Sequence, residues 1–206
     1  MNELQRELFE WFINNFTKDK DNNNIPIPKL INQQVVGMIE EIGELAHSIL
    51  KQEQGIRKNE NHLEMISDAI GDIIIYSSNL CSLLAIKLDD VIKNVSSKGK
   101  SIVEPMFAIL YLNLEMSNFI ESFYDLDEDI NGDNETIQFS FDEDIINYTK
   151  DEKFTIIFSI TSIYQTLQAI SNFYGLQTID EIIKSTANIV LNRDWNKHRS
   201  DNEEII

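Results

Sequence analysis

Three prolines and seven glycines are all that interrupt 206 residues. Turn-rich β folds need both in quantity, and both break helices, so their scarcity points to long helices and an all-α chain. Apolar residues recurring at helical spacing then place the segments. The pattern predicts six long helices and one short one. The long ones run over about Asn2–Phe16, Lys29–Lys51, His62–Ile86, Val103–Tyr124, Lys153–Tyr174 and from Thr178 to about Trp195. The short one covers Leu88–Val95. Asn61 with Glu64, and Thr178 with Glu181, have the spacing of N-terminal capping boxes, which makes Glu64 a capping residue rather than a ligand. Gly175 stands where a left-handed residue closes a helix.

The organisation expected is an N-terminal helix and connector over 1–29, a helical half over 30–100, and a second half over 101–206. The second half carries a long acidic, aperiodic insertion at about 125–151. The halves share a layout. Setting Leu88 against Ile179 puts Asp72 opposite Ile163 and Asp68 opposite Ser159. Likewise Glu41 falls opposite Glu115 and Glu44 opposite Asn118. The expectation is a tandem pseudo-repeat whose second half has lost most of its acids.

The formal charge of −18 disfavours nucleic acid polymers and anionic membrane surfaces as partners. No apolar run reaches the length of a membrane span, and the charged N-terminus does not read as a secretory signal. A lone Cys81 in an apolar stretch forms no intrachain disulfide, which fits a reducing cytoplasm. Trp11 reads as core.

Two short stretches carry chemistry. In Glu40-Glu41-Ile-Gly-Glu44, three carboxylates crowd one side of a helix and border the apolar residues Ile39, Ile42, Leu45 and Ile49. In Asp68-Ala-Ile-Gly-Asp72, two more stand one turn apart within an isoleucine-rich helix. A carboxylate there is costly unless paired, hydrogen-bonded or metal-bound. Gly43 and Gly71 would let the two helices approach closely, so that four acids face one another. Oxygen-only ligands select hard cations, Mg²⁺ or Mn²⁺, and such a site suits phosphate chemistry. Taken alone, the first stretch is an ordinary solvated helix face; the Asp pair downstream shifts the balance toward a site.

EEIGELAHSILK followed by DAIGDIIIYSSNL resembles the MazG-like all-α nucleoside triphosphate pyrophosphohydrolases, including their phage-encoded members. The resemblance covers roughly residues 30–95 and, through the proposed repeat, touches the dimeric deoxyuridine triphosphatases. It implies a helical bundle, Mg²⁺ dependence, a homodimer, and hydrolysis of an NTP or dNTP to monophosphate and pyrophosphate. It assigns Glu41, Glu44 and Asp72 to the metal. Where the family commonly has a Glu, this chain has Ala69, and Asp68 is the replacement on the same face. Glu40 or Glu41 would orient or deprotonate the attacking water, and Lys51 and Arg193 would neutralise phosphate. Asn79 would bind substrate or make an interhelical contact, Trp195 would stack on a base or, with Arg193, form a packing anchor with a surface ion pair, and Lys51 is equally a cation suited to a helix C-terminus.

Two alternatives remain. Glu44-Leu-Ala-His47 is the unit of di-iron bundles, but no second copy exists. A non-catalytic nucleotide binder, or an acidic helical protein mimicking DNA, is the rival from another class. A mimic needs acids spread over its surface, whereas these border apolar faces.

Overall fold

The computed structural model describes residues 2–19, 21–95, 104–124 and 150–193, with side chains omitted at 122–124 and 150–152. Its helices are α1 (Asn2–Phe16), α2 (Ile27–Gln54), α3 (His62–Leu83), α4 (Leu88–Ile92), α5 (Pro105–Tyr124), α6 (Lys150–Tyr174) and α7 (Ile179–Asn192). Among the described residues there is no strand, only a single bridge between Lys18 and Asn24. The all-α expectation therefore holds. Most of the acidic stretch at 125–151, the tail after Arg193 and the break at 96–101 lie outside the described residues.

Local chemistry explains the helix limits. Pro26 precedes α2, with Pro28 in its first turn, where a missing N–H costs nothing. Gly55, at φ +62°, ends α2 in the left-handed region, and its N–H meets the Gln52 carbonyl at 3.2 Å. Asn61 caps α3 by accepting from the Glu64 N–H at 3.3 Å and donating to the Glu64 carboxylate at 2.9 Å. Thr178 and Glu181 form the reciprocal capping box of α7. Gly175, at φ +65°, closes α6.

Several limits differ from the pattern-based expectation by two or three residues, among them both ends of α2, the start of α5 at Pro105 and the end of α7 at Asn192. α3 stops at Leu83 rather than Ile86, because Ala85 adopts φ +49° and turns the chain. α4 ends at Ile92, and residues 93–95 form turns. α6 begins at Lys150, so the aperiodic stretch is shorter at its C-terminal end.

α2 and α3 form an antiparallel hairpin, and α5 packs against α6. α2 packs on α5, while α3 is also covered by α1, α6 and α7. This explains why α3 is apolar almost all round. Ile66, Ile70, Ile73, Ile74 and Leu80 are wholly buried in it, each contributing about 1.5–3 kcal/mol by leaving water.

Small residues set two of the contacts. A Cβ on Gly71 would overlap Thr186 Oγ1 of α7, and one on Gly37 would overlap the Tyr76 ring. The close approach expected at Gly71 is therefore real, but its partner is α7. Gly43 faces open space and does not mediate helix contact, because its side of α2 is exposed. α1 is pinned by Gln5, which is 0% exposed. Gln5 Nε2 donates to Ile86 O at 2.9 Å and Ser82 Oγ at 3.1 Å, and its Oε1 accepts from Leu88 N–H at 2.8 Å. Trp11 is partly buried against this core, and it also lines the cavity described below, so it is not core alone.

Candidate active site

The α2–α3 hairpin pairs residues in register. Asn79 Nδ2 donates to Gln34 Oε1 at 3.3 Å. Three residues along α2 and three back along α3, Gly37 receives the Tyr76 ring. The next rung, one turn further, brings Glu41 to the level of Asp72. The antiparallel crossing thus assembles from two helices a face that neither motif specifies alone.

Glu41 and Asp72 line one cavity of about 420 Å³. Burial, then the charges of Asp72, Glu44, Glu40 and Asp68, raise the Glu41 carboxyl to about 7 from 4.5. Burial and the Asp68 charge raise Asp72 to about 6 from 3.8; Arg193 works against them, and Glu44 adds to the rise. Five carboxylates from the two motifs therefore feel one another. Glu40, Glu44 and Asp68 are exposed around the half-buried pair, while Ala69 is 3% exposed in the core. Among the described residues, no three His, Cys, Asp or Glu side chains are drawn into a metal-holding cluster.

Around the acids, the cavity is walled by Tyr76 and Asn79 of α3 and by Val190 and Arg193 at the end of α7. Burial, followed by the Glu41, Glu40 and Asp72 charges, pushes the Tyr76 phenol upward, so it stays a neutral donor. Lys51 stands two turns beyond Glu44 and does not line the cavity; the cation acting on Asp72 is Arg193. Trp195 lies outside the described residues. His47 is exposed on α2.

Tyr76 and the aromatic side of α1 were not singled out from the sequence. Tyr76 had a signal: it follows Asp72 by one turn and so shares its face. The α1 wall had none, since only tertiary packing brings it there.

Residues 32–103 match the family model of the MazG nucleotide pyrophosphohydrolase domain. No curated protein and no solved structure matches the chain. The match spans both acidic motifs and supports nucleotide pyrophosphohydrolase activity in general. The acid-bearing hairpin of α2 and α3 lies largely within the matched stretch, and residues 32–103 are similar to the MazG nucleotide pyrophosphohydrolase domain.

Proposed function

We propose that the chain hydrolyses a nucleoside triphosphate, NTP or dNTP, to the monophosphate and pyrophosphate in a Mg²⁺-dependent reaction. The observation that carries this reading is the half-buried pair Glu41 and Asp72, both carboxyls raised first by burial and then by neighbouring acids, and opening on one cavity with Arg193. An all-oxygen set under like-charge strain fits a hard dication, and Mn²⁺ would substitute. Glu41, Glu44, Asp68 and Asp72 would hold it, with Asp68 serving in place of the acid missing at Ala69. When bound, the cation supplies charge neutralisation at the phosphate oxygens.

The chain's own residues do the rest. Glu41 lines the cavity and takes a proton from the attacking water, with exposed Glu40 as its neighbour. The water oxygen bonds to the α-phosphorus as the bond to the bridging oxygen breaks, and pyrophosphate leaves with that electron pair. Arg193 offsets the charge that shifts to the leaving group. Lys51, at the far end of the same helix face, meets the outer phosphates of an incoming substrate.

Pairing into a homodimer belongs to the same proposal. Phe107 (57% exposed), Leu110 (65%) and Leu114 (54%) on α5, with Phe154 (68%) and Phe158 (62%) on α6, offer an apolar surface for it. No helix among the described residues is long and apolar enough to cross a membrane. Cys81 is buried with its thiol pushed up to about 12, which suits a cytoplasmic setting for a thiol kept inert.

The test is incubation with each common NTP and dNTP, with and without Mg²⁺, alongside Glu44→Gln and Asp72→Asn. Monophosphate plus pyrophosphate, lost without metal and in both variants, is the expected result. Diphosphate plus phosphate would contradict it. No turnover at all would favour a nucleotide binder in which Ala69 has cost the activity.

A further inference from the structure

The cavity continues past the acids. Two turns from Glu41 along α2, and two turns from Asp72 along α3, lies the amide rung of Gln34 and Asn79. Seven residues of helix set that rung about 10 Å from the acids. This is the span from an α-phosphate across a sugar to a base. The rung is buried, with Gln34 4% and Asn79 2% exposed. Asn79 Nδ2 is engaged by Gln34, but Asn79 Oδ1 is buried and has no hydrogen-bond partner among the described residues. A buried carbonyl oxygen without a donor is costly to keep, and Asn79 is among the residues that line the cavity.

The remaining lining near this rung is mostly apolar, with Lys18 and Gln33 as its polar members. Trp11, Phe12 and Phe16 of α1 and Ile25 make up its apolar part. Phe12 and Phe16 lie near-parallel at 6.2 Å, and Trp11 meets Phe16 edge-on at 5.2 Å. An aromatic wall beside a carboxamide matches a π-faced ligand whose edge carries a donor next to an acceptor, which describes a nucleobase. A sugar hydroxyl could donate to Asn79, but it would have no use for the aromatic wall.

We infer that this end of the cavity is a nucleobase compartment. The base lies against the α1 aromatic wall and donates an N–H to Asn79 Oδ1, so the Gln34–Asn79 pair sets which nucleotide is accepted. The inference rests on reading the acids as a nucleotide-hydrolysing centre. It adds specificity-determining residues, three of which (Trp11, Phe12 and Phe16) lie on a helix outside the matched stretch 32–103.

The test uses the full chain and Asn79→Leu, which keeps the volume and removes the unpartnered oxygen. Gln34→Met is the second variant, on the same rung, should the first fold poorly. Calorimetry measures binding of dAMP, dCMP, dGMP and dTMP, and of inorganic tripolyphosphate as a base-free probe. Steady-state kinetics on the triphosphates run beside it. The wild type is expected to prefer one base. The variants are expected to raise KM for that nucleotide roughly tenfold or more, with kcat within about threefold and the base ranking flattened. Tripolyphosphate affinity should be unchanged.

A wild type indifferent to base would overturn the compartment. So would variants that keep the ranking, or that weaken tripolyphosphate equally, since that marks a merely structural rung. If the wild type binds monophosphates base-selectively and hydrolyses nothing, the compartment stands and the hydrolytic reading fails. Hydrolysis with a ranking indifferent to Asn79 is the converse.

Discussion

At the scale of single residues, Glu41 and Asp72 hold charge against the preference of their surroundings. Removing either charge should relieve the other acids. In metal-free buffer, Glu41→Gln and Asp72→Asn are therefore expected to melt at or above the wild-type temperature. Their kcat/KM should nevertheless fall about a hundredfold or more. A parallel loss of stability and activity would show the acids to be structural. Gly71 makes a different demand. Gly71→Ala gains helix propensity of up to about 1 kcal/mol but drives a methyl into Thr186. Overpacking of this kind costs about 1–3 kcal/mol, so a net loss of up to about 2 kcal/mol is expected on urea denaturation, partly restored by adding Thr186→Ala. The acids were legible in the sequence because a carboxylate inside an isoleucine-rich helix is costly without a purpose. Gln34 was not, since an amide on a half-apolar helix is commonplace until its partner is known. Gly43 misled for a related reason: composition marks where a helix can approach, and only packing selects which glycine is used.

At the scale of elements, caps and periodicity fixed most helices to within a few residues. The errors lie where conformation overrides pattern. Ala85 turns left-handed inside an apolar run that would otherwise extend α3. The α2–α3 hairpin was foreseeable from its two motifs, whereas the placement of α1 depends on one buried side chain. Gln5 satisfies Ile86 O, Leu88 N–H and Ser82 Oγ at once. Gln5→Leu would strand buried backbone groups, and a loss of about 2–4 kcal/mol is expected by denaturant unfolding. Since α1 walls the cavity, KM for nucleotide should rise in the same variant, while a conservative change at exposed Glu10 should move neither.

At the scale of the whole molecule, the acids tie stability to pH. The folded-state values for Glu41 (about 7) and Asp72 (about 6) lie above their ordinary values of 4.5 and 3.8. Between those limits the folded chain binds more protons than the unfolded one, so stability falls as pH rises from about 4 to about 7. Metal-free protein should melt higher at pH 5 than at pH 8, a trend reinforced by the −18 charge. Mg²⁺ should raise the melting temperature more at pH 8, where the carboxylates are ionised, than at pH 5. An equal shift at both would mean that the ion binds elsewhere. The cavity draws its two acids from the matched hairpin, but Trp11, Phe12, Val190 and Arg193 come from segments before and after it. The chain is thus built like a tool holder with exchangeable jaws. On the proposed reading, a different N-terminal helix seated on the same hairpin would reshape the compartment beside the acids and leave the acids themselves in place.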